Sequence, residues 1–163
     1  MSLARRLVFG SNPRRTAVRI LILTAVSFGT FRWILIPVRT QGISMQPTYE
    51  SDHLTFVNRL AFVWRPPARG DIVAIRLAGP HVVYVKRIVG LPGERLEIVE
   101  GQVLIDALPL AEPYVRNRRP WDVPEVTLEK GEYFVIGDNR GMRVGDHDFG
   151  RVDAARILGR ILF

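Results

Sequence analysis

The chain contains no cysteine, which rules out both a disulfide framework and a thiolate metal site. The absence suits an oxidising compartment, where no thiol is left to mispair. Its three histidines, His53, His81 and His147, are too scattered for a zinc motif, so no metal or other cofactor is expected. Lysine is nearly missing as well: of 23 Lys and Arg residues, only Lys86 and Lys130 are lysine. Acidic residues are absent before Glu50, and no helical run of length follows residue 37.

What is present is a basic start followed by an apolar run. The 163 residues carry a net charge of +7, and five arginines (Arg5, Arg6, Arg14, Arg15 and Arg19) fall within the first 19 positions. The remainder is close to balanced, so the excess is a tail rather than a basic face, and nucleic acid is not an expected partner. Ile20 to Ile36 contains one charge, Arg32. As a helix it covers roughly 25 Å, and extension through Ala17 and Val18, with Arg19 and Arg32 snorkelling, lets it cross a hydrocarbon core of about 30 Å. Trp33 suits the far interface, and the arginines predict an N-terminus inside with the domain outside. A cleaved signal peptide would share the basic start and apolar core, with a small-x-small site at Val26-Ser27-Phe28-Gly29. The apolar character continues through Trp33-Ile-Leu-Ile36, which argues for a lasting anchor in a lipid bilayer.

After Pro37, short β-rich runs alternate with Gly, Pro and Asp. Strands are expected near Leu54–Asn58, Asp71–Leu77, Val82–Val89, Arg95–Val99, Val103–Asp106, Tyr133–Gly137 and Arg156–Leu162. Glu100-Gly101-Gln102 reads as a hairpin turn. The expected fold class is mainly β: an N-terminal transmembrane helix followed by an all-β sandwich or partly closed barrel. Residues Glu112 to Lys130, rich in Pro and Arg, read as a long surface excursion.

Gly42-Ile-Ser-Met-Gln-Pro-Thr48 sets a serine in a turn shortly after the apolar run. A serine hydroxyl needs a base to become a nucleophile. His147, flanked by Asp146 and Asp148, suggests a triad, but neighbours on an extended chain point apart, and a loop histidine is the simpler reading. Lys130 sits in a turn. Lys86 lies inside the most apolar strand of a chain that otherwise uses arginine. Arginine keeps its proton, whereas burial can lower a lysine by up to about 3–5 units and leave it a neutral amine. Taken alone, Lys86 also fits a strand lysine that snorkels outward; the serine motif favours the base.

These stretches resemble the bacterial type I signal peptidase family, membrane-anchored Ser-Lys proteases, in its compact Gram-positive-like form. Arg32-Trp-Ile-Leu-Ile-Pro37 is similar to the family's exit from the membrane, and Gly42–Thr48 to its nucleophile box. Arg69-Gly-Asp-Ile-Val73 is similar to the start of the next strand, and Lys86-Arg-Ile-Val-Gly-Leu-Pro-Gly-Glu94 to the general-base box. Leu110-Ala-Glu-Pro-Tyr114 and Gly137-Asp-Asn-Arg140 are also family-like. The resemblance implies Ser44 as nucleophile and Lys86 as general base. It implies an oxyanion site at the Ser44 N–H, with Gly42 where many members place a second, serine donor. It further implies a pocket shaped by Met45, Tyr84 and Val85, and supporting residues Arg87, Asp138, Asn139, Arg140 and Asp146.

The expected substrates are exported preproteins with N-terminal signal peptides, cut after Ala-x-Ala-like sites. The expected layout is a basic cytoplasmic segment (1–16), an anchor in the plasma membrane (17–36) and a β-rich catalytic domain (37–163) on the extracytoplasmic side. One stretch departs from the pattern. Arg143 stands where the family has a serine near the lysine, and its charge would favour the neutral amine. Gly145 stands where it has an acid, with Asp146 one position on. Two other readings follow: a peptidase dedicated to one export or conjugation substrate, and a catalytically weak, membrane-tethered protein that binds signal peptides.

Overall fold

The computed structural model describes residues 12–76 and 83–162. Most of the basic start, His81, and the Leu77 and Val82 ends of two expected strands lie outside the described residues. Asn12 caps the first helix by accepting from the Arg15 N–H at 3.3 Å, and Pro13, which has no N–H to lose, opens it. Helix α1 runs Pro13–Gly29 and continues as a wider π turn over Thr30–Ile34. Together they form a 22-residue apolar segment, none of it buried against the rest of the chain. The strand that follows starts at Leu35, inside the apolar run.

Eleven strands then build two open antiparallel sheets, a sandwich-like arrangement that is not closed into a barrel. They are β1 (Leu35–Arg39), β2 (Leu54–Asn58), β3 (Ile72–Arg76), β4 (Val83–Gly90), β5 (Arg95–Val99), β6 (Gln102–Ile105), β7 (Leu108–Pro109), β8 (Val123–Thr127), β9 (Glu132–Ile136), β10 (Gly150–Asp153) and β11 (Ile157–Leu162). The larger sheet has the order β1-β2-β11-β3-β4-β9-β10, and the smaller β7-β6-β5-β8. The Glu100-Gly101 turn joins β5 to β6, with both residues at positive φ (48° and 78°), as a two-residue hairpin of this twist requires.

Residues 112–130 are not a surface excursion. β8 pairs with β5, and Glu112, Trp121 and Leu128 are buried. Trp121 and Leu128 join Val89, Leu96, Ile98, Val103, Phe134 and Ile136 in a dry core that ties the small sheet to β4 and β9. Pro124 hides β8 in the sequence, but β8 is an edge strand, where a missing N–H costs no ladder bond.

Two features of register set up the site. Leu35 pairs with Asn58, Asn58 with Arg160, Arg160 with Val73, and Val73 with Lys86, so one row crosses five strands from the end of the apolar segment to Lys86. At about 4.8 Å between strands, that row measures roughly 19 Å. On its other side β4 pairs with β9 only from Arg87 onward. Val83 to Lys86 therefore present a strand edge with no strand partner on that side among the described residues.

Candidate active site

Ser44 lies in the loop between β1 and β2, held from the other side of the sheet. The Asn139 N–H donates to the Ser44 carbonyl at 3.0 Å, and the Asn139 side-chain amide donates to the Ile43 carbonyl, also at 3.0 Å. Gly137 makes this approach possible: a Cβ there would lie 2.2 Å from the Ser44 carbonyl oxygen. Thr48, in the same loop, donates to Asp138, which is fully buried and also accepts two bonds from Arg87, at 2.8 Å from Nε and 2.6 Å from Nη2. Arg87 Nη1 donates to the Gly70 carbonyl at 2.9 Å, and the guanidinium lies 3.9 Å over the Tyr114 ring.

Tyr114 donates to Glu112 at 3.0 Å, and Glu112 pairs with the buried Arg140, whose Nε donates back to the Gly137 carbonyl at 2.9 Å. A chain of charged and polar contacts thus links Glu112, in the connection between β7 and β8, to the loop that carries Ser44. Arg87, Asp138, Asn139 and Arg140 all belong to it. Glu112 and Tyr114 carry as much of it as the residues singled out from sequence. Their signal was the Glu-Pro-Tyr motif, which lay inside a stretch read as surface.

Ser44, Met45, Tyr84, Val85, Lys86 and Asp146 line one cleft of about 560 Å³, with Met142 and Asp148. Met45 is buried, and Tyr84 and Val85 are half-buried. Lys86 is only 2% exposed, and its amine makes no hydrogen bond or ion pair among the described residues. Burial pushes its pKa below the ordinary lysine value, against a smaller opposing pull from Asp148. Gly42 also lines the cleft, but its N–H donates to Ser51 Oγ at 3.2 Å. The Ser44 N–H makes no hydrogen bond among the described residues and is the donor left for an oxyanion.

One expectation changes. Arg143 is exposed and does not line the cleft; the short turn over Val144–Asp146 brings Met142, Asp146 and Asp148 to it instead. His147 lies in a loop, as expected, with its side chain buried and its ring 5.7 Å from Trp121 and 6.4 Å from Phe149. Neither ring nitrogen has a hydrogen-bond partner among the described residues, although the Asn139 carbonyl and Asp146 lie on its side, so no Ser-His-Asp chain is assembled. Burial first, with the charge of Arg140 adding to it, lowers its pKa and favours the neutral ring.

A serine hydroxyl and the amine of a buried lysine lining one cleft are the groups that acyl transfer through a serine requires. Comparison with known proteins leads the same way. A sequence model of the family described as "Signal peptidase, peptidase S26" matches residues 14–163. Signal peptidase I T of Bacillus subtilis (strain 168) is 32% identical over 158 residues, covering 90% of this chain and 81% of its own. Signal peptidase I V of the same organism is 30% identical over 143 residues, covering 78% and 84%. Signal peptidase I of Leptolyngbya laminosa is 32% identical over 125 residues, covering 72% of this chain and 62% of its own, so the chain spans about three fifths of that relative's length. A crystal structure of a signal peptidase I from Enterococcus faecalis V583 is 28% identical with a TM-score of 0.48, covering 60% of this chain and 98% of that one.

Proposed function

The chain belongs to the signal peptidase family, peptidase S26, and we propose that it is a membrane-anchored serine endopeptidase that cleaves signal peptides from exported preproteins with a Ser44–Lys86 dyad. The observation that carries the reading is Lys86: a lysine 2% exposed, without a hydrogen bond or ion pair among the described residues, lining the same cleft as Ser44. That setting favours the neutral amine, the form that can act as a base. Lys86 Nζ takes the Ser44 hydroxyl proton as Oγ bonds to the scissile carbonyl carbon. The carbonyl electron pair moves onto oxygen, facing the Ser44 N–H. The new ammonium gives its proton to the departing amine. Water, deprotonated by Lys86, then releases the acyl group from Ser44.

Substrate geometry follows from the free edge of β4. An extended peptide can add as a strand beside Val83–Lys86, with main-chain bonds fixing its register. Residues one and three before the cut then point the same way, because side chains alternate along a strand. Met45, Tyr84 and Val85 line the cleft beside that edge, and the preference proposed for both positions is a small side chain, as in Ala-x-Ala.

The apolar segment, about 33 Å long if helical throughout, suits a single span, with the arginines inside and residues from Leu35 onward outside. The row from Leu35 to Lys86 then holds the base at the level where the chain leaves the bilayer, which is where the end of a signal peptide emerges. The partners in this reading are preproteins and lipid.

The test is cleavage of a synthetic Ala-x-Ala peptide by the full chain in detergent. Wild type should cut it, and Ser44→Ala and Lys86→Arg should not, with Lys86→Met as a second base variant that avoids a buried guanidinium. Wild-type rates in these variants would overturn the dyad. An inert wild type that still binds the peptide would favour a tethered binding protein.

A further inference from the structure

The surroundings of Lys86 single out a residue to which nothing so far gives a role. The ionisable groups lining the cleft with its amine are Arg39 from β1, Tyr49 from the loop that carries Ser44, Tyr84 from its own strand, and Asp146 and Asp148 from the segment after β9; Thr40, Gln41 and Ser44 are the neutral polar side chains. His147 packs nearby from the same segment. The two aspartates are not equivalent. His147 is buried on the rings of Trp121 and Phe149, and Phe149 in turn packs on the core beneath the small sheet. With that ring wedged inward, the residues on either side are left exposed along the cleft wall. Asp146 acts on His147, whereas Asp148 is the carboxylate whose field reaches Lys86. The amine itself has no hydrogen bond or ion pair among the described residues, so no direct contact fixes its direction.

We propose that Asp148 is the electrostatic partner of Lys86 in the reaction, orienting the amine towards Ser44 and stabilising the ammonium that proton transfer creates. The inference rests on the Ser44–Lys86 reading above. Asp148 exchanges no proton. The Ser44 hydroxyl proton goes to Lys86 and from there to the leaving amine, and Asp148 stays a carboxylate throughout. Its effect is differential: before transfer it faces a neutral amine, after transfer a cation, so it acts on the transition state more than on the bound substrate. A peptide lying in the cleft excludes water from between the two groups and strengthens the effect.

The experiment is a pH–rate profile of kcat/KM for the full chain in detergent with an Ala-x-Ala peptide, comparing wild type, Asp148→Asn, Asp148→Glu and Asp146→Asn, with Ser44→Ala alongside. In Asp148→Asn the plateau should fall about tenfold to a hundredfold, and the acid limb should move to lower pH, because the charge that favours the ammonium is gone. Asp148→Glu should recover most of the rate, and Asp146→Asn should move the limb less than Asp148→Asn does. A limb that stays in place, or that moves to higher pH as it would if the change merely let water reach Lys86, would overturn the proposal; so would an equal shift in Asp146→Asn. Activity surviving in Ser44→Ala is a different failure, since it removes the dyad and the role of Asp148 with it.

Discussion

Lys86 and Arg87 are neighbours on one strand, and their surroundings obey opposite rules. Arg87 has partners on all sides: both oxygens of Asp138, the Gly70 carbonyl and the face of Tyr114. Lys86 is buried as deeply or more so and has no hydrogen bond or ion pair among the described residues. A guanidinium cannot shed its proton, so burying one demands matching charge and geometry. An amine can shed its proton, and burial favours that loss. The difference between a charge that holds the fold and the base proposed here therefore lies in what surrounds each group, and the two residues are not interchangeable.

The sharpest way to test this contrast is to remove each side in turn. Ser44→Ala and Lys86→Met should each lower peptide cleavage by on the order of 10⁴-fold or more while far-UV circular dichroism stays unchanged. Arg87→Met should do the reverse in kind: it leaves Asp138 buried and unpaired and should destabilise the domain by about 3–5 kcal/mol in denaturant melts. Gly137→Ala falls between, since its Cβ displaces the Ser44 carbonyl; we expect kcat to drop about 10²-fold with a smaller change in KM.

The smallest effect has an unusual sign. Lys86→Met should raise stability by about 1–2 kcal/mol at neutral pH, because a lysine with a lowered folded pKa binds fewer protons folded than unfolded. In wild type, stability should therefore rise with pH between that lowered value and the ordinary lysine value of about 10.4. The gain from Lys86→Met should be greatest on the acid side of this window and fade above it. A gain that does not vary with pH would mean that packing, and not the amine, is responsible.

How much of this was legible in the sequence depended on where each strand sits. The runs read as strands correspond to β2, β3, β4, β5, β6, β9 and β11, all interior to their sheets. Those missed, β1, β7, β8 and β10, are the four edges. Interior strands bury apolar side chains and need every backbone N–H, which leaves a plain pattern of Val, Ile and Leu. Edges tolerate Pro37, Pro109, Pro124 and Gly150, which read as breaks. Site residues followed a similar division. Lys86 stood out because a lysine in an apolar strand of an arginine-rich chain is anomalous by composition alone. Asp148 and the inward turn of His147 did not, because they depend on Trp121 and Phe149, brought together by contacts between distant segments.

In the proposed function, the edge of Val83–Lys86 left open on the side away from β3 also sets how long a visitor stays. At about 3.3 Å per residue it offers some 13 Å of ladder, a handful of backbone hydrogen bonds with modest net value each. That is enough to align a passing chain and too little to keep it once the cut has separated it from whatever else held it there. An edge this brief is also a poor template for joining two copies sheet to sheet, so residence time and resistance to self-association come from the same few peptide groups.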